Sequence, residues 1–256
     1  MNPSLETSDL TIRFGGHVAV NAVSCAFVPG TLTAIVGPNG AGKTTYFNLV
    51  SGQLKASSGQ VLLHGRDISA LGASARTHAG LGRAFQLTNL FPHLTVIENV
   101  RLALQSRARL GLDLWNVWSH HRDLIGRADE VLETVALAAK RNSSAAELPH
   151  GDQRKLEVGI LMALDPDVYL FDEPTAGMSV DEVPVLLDLI RALKLRRDKT
   201  ILLVEHKMDV VRELADRIIV LHNGALVADG DPETVIASPV VQEAYLGLAP
   251  VAEVAA

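Results

Sequence analysis

A single cysteine, Cys25, stands among the 256 residues, so no intrachain disulfide can staple the fold. That usage fits a reducing compartment. No stretch approaches the roughly 18 uninterrupted apolar residues of a membrane helix. The first residues, MNPSLETSDL, carry neither a basic nor an apolar segment of the kind that directs export, so no export is expected. Basic charge is short as well. Lysine and arginine number 23 against 29 aspartates and glutamates, a net charge of −6. An acidic balance argues against a protein whose main task is non-specific nucleic-acid binding. Internal repeats and low-complexity tracts are missing, apart from a small Ala/Val-rich end at 249–256. Secreted, collagenous, disordered and integral-membrane classes are therefore excluded; attachment to a membrane protein stays open.

What remains is ordinary globular composition, 48 % apolar and 20 % charged, in a length that buries a sizeable core. LTIRF (10–14), AVNAVSCAF (19–27) and TLTAIV (31–36) are short strand-like runs punctuated by Gly15-Gly16 and Pro29-Gly30. They predict an antiparallel piece leading into a buried strand. A helix is expected from Lys43 to near Gly52, then a strand at 60–64. Segments 95–109 and 123–140 carry apolar residues at three- and four-residue steps and predict helices. Between them, LGLDLWNVWSHH (110–121) holds Trp115 and Trp118, read as rings capping a small helical core with a partner-facing surface as the alternative, and His120-His121, read as solvated loop. A helix from Gly151 to Leu164 precedes DVYLF (167–171), TILLV (200–204) and RIIVL (217–221), with a further helix near 181–197. Strands alternating with helices imply a parallel sheet covered on both faces. The tail 231–247 predicts a capped helix, a proline break and another short helix.

The sharpest motif is Gly37-Pro38-Asn39-Gly40-Ala41-Gly42-Lys43-Thr44-Thr45, which matches G-x-x-x-x-G-K-[ST] between a strand and a helix. Glycines let backbone N–H groups converge on phosphate oxygens, and the helix start adds a partial positive field there. Lys43 is placed to reach β and γ phosphates, and the Thr44 hydroxyl to ligate Mg²⁺. YLFDEP (169–174) sets Asp172 and Glu173 at the end of a buried strand, where α/β sheets bind ligands. Asp172 is expected to hold Mg²⁺, directly or through water, and Glu173 to polarise an attacking water. These features define a P-loop NTPase and leave a kinase or a GTPase open.

Further residues narrow the choice. Gln86 in AFQ, LPHGDQRKLEVG (148–159), the run Thr175-Ala176-Gly177-Met178-Ser179-Val180-Asp181, Glu205-His206 after TILLV, and Phe14 upstream of the cradle follow in order. Over about residues 5–247 the chain resembles the ATP-binding cassette (ABC) ATPases. The resemblance implies an α/β P-loop core with an N-terminal antiparallel β subdomain and an inserted helical subdomain at about 88–165. It implies one cassette domain over 1–247, with 248–256 as a short tail. It gives Gln86 the role of sensing metal and nucleophilic water, His206 that of a switch histidine on the γ-phosphate, and Glu173 that of catalytic base. Phe14, a core strand residue when taken alone, becomes the aromatic that stacks on adenine. Asp181 falls in the D-loop, and Pro149, His150, Gly151 and Asp152 fall in the signature loop, which contacts ATP held by a second cassette. ATP and Mg²⁺ are the implied ligands.

The signature loop departs from the family pattern of a serine and two adjacent glycines. Pro149 and His150 occupy the serine and first-glycine positions, leaving Gly151. That removes a hydroxyl from the composite site while leaving the fold expected. FGGHVAVNAVS, NLFPHLTVIENV, LLVEHKMDVV and GDPETVIASPVVQEAYLG are similar to ATPase subunits of branched-chain amino-acid importers, a pattern shared in part with urea and amide importers. This narrower resemblance implies permease subunits, a second ATPase subunit of the same or a different kind, indirectly a solute-binding protein, and a place on the cytoplasmic face of the inner membrane. Lipopolysaccharide-export ATPases share much of the pattern and form the alternative. Soluble repair or translation ATPases fit less well, since the chain carries one cassette and only about a hundred residues between cradle and signature.

Overall fold

The computed structural model describes residues 2–84, 90–110, 122–239 and 241–242. Gln86, Trp115, Trp118, His120, His121 and the tail from 243 on lie outside them. The chain divides into two units, one made of residues 1–73 with 200–256, the other of 74–199.

The first unit holds an antiparallel sheet in the order β2-β1-β4-β5, from β1 (Leu5–Phe14), β2 (His17–Phe27), β4 (Ser58–Leu63) and β5 (Arg66–Asp67). β1 and β2 turn on Gly15-Gly16, so Phe14 faces His17. β1 begins five residues earlier than its apolar run indicated. The alternation is broken by a bulge at Asp9, where φ is +47° and the backbone N–H donates to Ser24 Oγ at 2.8 Å.

β3 (Leu32–Val36) is buried along its whole length. It pairs in parallel with β8 (Thr200–Val204) on one side and β9 (Arg217–His222) on the other. β10 (Ala225–Gly230) returns antiparallel to β9 through Asn223-Gly224, a turn whose two residues both have positive φ, as tight hairpins require. One face is packed by Ala34, Val36, Ile218 and Val220 against Val211 of α7 (Met208–Leu214) and Val235 of α8 (Pro232–Ala237). Asp231 caps α8 by accepting from Thr234 N at 3.0 Å, as the tail sequence predicts. From β3 the chain enters α1 (Lys43–Ser51).

The second unit opens with α2 (Ala73–Ala79), whose first residue belongs to the other unit, and β6 (Leu81–Ala84), which pairs in parallel with β7 (Val168–Asp172). α3 (Val96–Arg107), α4 (Arg122–Thr134) and α5 (His150–Leu164) pack together. Thr95 and Glu98 cap α3 reciprocally. Gly159 lets α5 approach Val131 of α4 and Val135 just beyond its end. α4 ends at Thr134 rather than near 140, because Ala136 turns the chain with φ +55° and a short 3-10 turn follows at Ala138–Lys140. Of the apolar face that its spacing predicts, Val183, Leu186, Leu187, Ile190 and Leu193, α6 (Val183–Leu195) buries the four from Leu186 on and leaves Val183 half-buried, and it buries Leu189 besides. No helix among the described residues is long and apolar enough to cross a membrane.

Candidate functional site

In the first unit the loop 37–42 leaves the buried end of β3 and runs into α1. A Cβ on Gly37 would meet the carbonyl oxygen of Leu221 well inside contact distance. Gly42 has φ +97°, and a Cβ there would lie 2.5 Å from the carbonyl oxygen of Ala19. Only glycine fits either place. Lys43, 5 % exposed, folds back over the loop and donates to the carbonyl oxygens of Gly37 at 2.7 Å and Pro38 at 3.0 Å. It closes the loop into a ring around a cation. Asn39, Gly40 and Thr44 are exposed, while Thr45 is partly covered and Ala41 buried. The cradle thus offers its N–H groups, a lysine charge and a hydroxyl at a helix start, the equipment for a polyphosphate.

Two supports hold it. The β9–β10 turn donates Gly224 N–H to Ala41 O at 3.0 Å and accepts from Asn21 N–H at 2.8 Å. Tyr46 on α1 hydrogen-bonds Thr7 of β1 at 3.0 Å through its buried hydroxyl, whose pKa is pushed well above the usual tyrosine value by that burial. β8 pairs with β3 so that Val204 faces Ile35, and residues 205–206 therefore emerge beside the start of the cradle loop. Glu205 is buried there and accepts from Lys207 N–H at 3.3 Å; His206 is exposed. Phe14 is 50 % exposed at the end of its hairpin, so it is not a core residue.

In the second unit Asp172 ends β7, 6 % exposed, and pairs with Arg83 of β6 at 2.6 Å. Breaking such a buried pair on one side costs about 3–5 kcal/mol. Glu173 follows with φ +51°, a strained conformation for a residue with a Cβ, and its carbonyl accepts from Ala176 N–H at 3.1 Å. Strain of this kind concentrates where a side chain must be aimed.

The signature loop is ordered by side chains. Pro149 caps α5 with no side-chain hydrogen bond to the helix, and His150 is the first helical residue. Gly151 is buried, and a Cβ there would run into the carboxylate of Glu182. Glu182 in turn accepts from Ser179 N–H at 3.1 Å and Ser179 Oγ at 2.9 Å. The His150 ring lies beside Gly177, 3.2 Å from where a Cβ would stand. Asp152 pairs with Lys140 and, at 2.9 Å, with Lys155. Burial opposes its charge, but those two lysines hold its carboxyl below the usual range. Asp181 is exposed.

The family model for ABC transporters matches residues 20–176. The chain belongs to the ABC transporter family. It is an ABC ATPase, a protein that binds ATP or ADP. The chain is 38 % identical to LivG, the high-affinity branched-chain amino acid transport ATP-binding protein of Escherichia coli K12, over 96 % of its own length and 98 % of that protein. It is equally similar to BraF of Pseudomonas aeruginosa, over 250 residues. Among solved structures, MJ1267, an ATP-binding cassette of an ABC transporter in its ADP conformation, superposes with a TM-score of 0.82 at 28 % identity. That match covers 97 % of this chain and all of the other. MJ0796, a cassette solved as a dimer with ADP and Pi, gives 0.76 at 25 % identity, covering 89 % and 98 %.

Sequence reasoning did not find three residues of this ATPase. Arg83, paired with Asp172, is a lone charge in the short run LGRAF, three places before Gln86. Glu182 was legible as the partner of a Ser-x-x-Glu cap. Gly224 was legible in the Asn-Gly turn.

Proposed function

We propose that this chain is the ATP-hydrolysing subunit of a membrane importer for branched-chain amino acids or related small polar or amide solutes. The observation that carries it is the glycine cradle closed by Lys43, in a chain 38 % identical to LivG across nearly the whole length of both.

Backbone N–H groups of residues 40–45 bind the phosphates, Lys43 carries charge to them, and Phe14 offers its exposed ring to the adenine. Asp172, a buried carboxylate, and Thr44, an exposed hydroxyl, are hard oxygen donors suited to Mg²⁺, with Gln86 as the third group. When bound, Mg²⁺ neutralises charge that develops on the transferring phosphoryl group. Glu173, aimed by its strained backbone, accepts a proton from the attacking water or positions it. His206 orients the γ-phosphate. Pro149, His150, Gly151 and Asp152, with Asp181 nearby in sequence, serve the ATP held by a second ATPase subunit, so the working unit has two cassettes. Permease subunits convert their closing and opening into transport, and a solute-binding protein delivers the solute. The chain then works at the cytoplasmic face of the inner membrane.

Uptake of radiolabelled leucine, isoleucine and valine by cells that depend on this chain tests the reading. Uptake should be lost with Glu173→Gln and restored by the parent. Uptake unchanged by Glu173→Gln would overturn the hydrolytic role of Glu173, uptake of urea or amides alone would narrow the solute to the amide class, and uptake of none of these solutes would overturn the importer reading.

A further inference from the structure

Asp172 is the carboxylate that the proposed function gives to Mg²⁺, yet its Oδ2 already receives the guanidinium of Arg83 at 2.6 Å. Both side chains are sealed from solvent, 7 % and 6 % exposed. Neither is placed by accident. β6 pairs with β7 in register Arg83↔Leu170 and Ala84↔Phe171, so the arginine rises from a neighbouring strand toward the end of β7. β6 is packed tightly at the residue before the arginine, because a Cβ on Gly82 would meet the side chains of Leu161 of α5 at 2.6 Å and Pro166 at 2.8 Å. A bare carboxylate at this buried strand end would be strongly unfavourable, and a protonated one could not ligate a hard cation.

We propose that Arg83 is a positioning residue that occupies Asp172 as a counter-cation when no metal is bound and yields the carboxylate to Mg²⁺. The inference rests on the ATPase reading of this site. The arginine holds the carboxylate in place between turnovers, and its charge opposes that of the incoming metal. Arg83 therefore weakens the site's hold on Mg²⁺ and makes metal loading reversible.

The test uses the full chain loaded with ADP. Mg²⁺ is titrated against the thermal midpoint and against the EPR signal of competing Mn²⁺. Arg83→Gln keeps a donor toward Asp172 but removes the charge, and it should tighten Mg²⁺ binding by about tenfold. Arg83→Lys keeps the charge and should stay within about twofold of the parent. ADP binding in EDTA should be the same in all three, because the cradle is built from other residues. A packing role alone would lower the midpoint with ADP and with Mg·ADP by the same amount. Mg²⁺ binding by Arg83→Gln that is equal to or weaker than the parent's overturns the proposal.

The parent supplies an arm that needs no variant to fold. The side-chain N–H resonances of Arg83, read by NMR in the ADP-loaded parent, should shift when Mg²⁺ is added, because the guanidinium leaves its carboxylate. Resonances unmoved by Mg²⁺ in a chain that binds Mg·ADP overturn the proposal. Failure of the parent to bind ADP at all would instead overturn the nucleotide reading on which it rests.

Discussion

The cradle loop and the signature loop both lead into a helix start, but they are held in different ways. The cradle is a backbone object. Its shape is set by glycines pressed against carbonyl oxygens of Ala19 and Leu221, and Lys43 binds the loop's own carbonyls. The signature segment, the cap and first turn of α5, is a side-chain object, where Glu182 sits on Gly151, His150 lies beside Gly177 and Asp152 is tied by two lysines. A backbone device tolerates almost no substitution, because a new Cβ has nowhere to go. A side-chain device can lose a serine and a glycine and still be organised by its neighbours. The cradle matches its motif fully, while the signature loop reads Pro149-His150-Gly151.

The largest effect should come from breaking the cradle. Gly42→Val forces a β-branched residue into positive φ against a carbonyl oxygen. It should abolish ATP binding and lower the thermal midpoint by roughly 5–10 °C, measured by calorimetry and a thermal melt. ATP binding retained within a few-fold would show that the loop does not need this geometry.

Gly151→Ala is the matching change in the other loop, and it should be milder. Its new methyl group meets the far end of a flexible glutamate, which can move away. ATPase activity of the complete transporter should fall by about tenfold or less, and stability should drop in the parent but not in a Glu182→Ala background. An equal loss in both backgrounds would remove Glu182 from the account of this loop.

Much of this was legible because the decisive elements carry strong local patterns. The cradle, the DE pair, β3, β8, β9 and α6 are written in glycine spacing, apolar runs and helical periodicity. What stayed hidden was short or tertiary. α2 and α7 have seven residues each, too few to show a period, and β6 is four residues interrupted by a charge. β5 has two residues, and β10 reads AL-VADG, with only its Asn-Gly turn to announce it. The Arg83–Asp172 pair joins residues 89 apart in sequence, and no local pattern records such a contact. Phe14 looked like a core strand residue when taken alone, since an apolar residue in a strand says nothing about where the sheet ends.

A gain should follow from Pro149→Ser. Pro149 stands at the cap of α5 without a side-chain bond to the helix. A serine there supplies one, adding about 0.5–1 kcal/mol of stability, and a hydroxyl toward the partner's nucleotide, raising turnover by no more than about tenfold. A rise of several orders of magnitude would mean that the native loop is degenerate.

The smallest effect concerns pH. Asp152 has a folded-state pKa held below its unfolded value, so its stabilising contribution is fully present above the ordinary aspartate range and fades as pH falls through the folded pKa. Asp152→Asn should flatten the decline in stability on the acid side, followed by denaturant melts between about pH 5 and 2. An unchanged slope would show that Lys140 and Lys155 do not hold this carboxylate in solution.

In the proposed function Lys43 serves nucleotide binding and Glu173 serves the chemical step. The direct measurement compares ATP affinity and single-turnover phosphate release for Lys43→Ala and Glu173→Gln in the complete transporter. Lys43→Ala should lose affinity by more than about tenfold. Glu173→Gln should bind ATP within a few-fold of the parent and release phosphate at least about a hundredfold more slowly. Phosphate release by Glu173→Gln at the parental rate, or ATP affinity untouched by Lys43→Ala, would contradict the account.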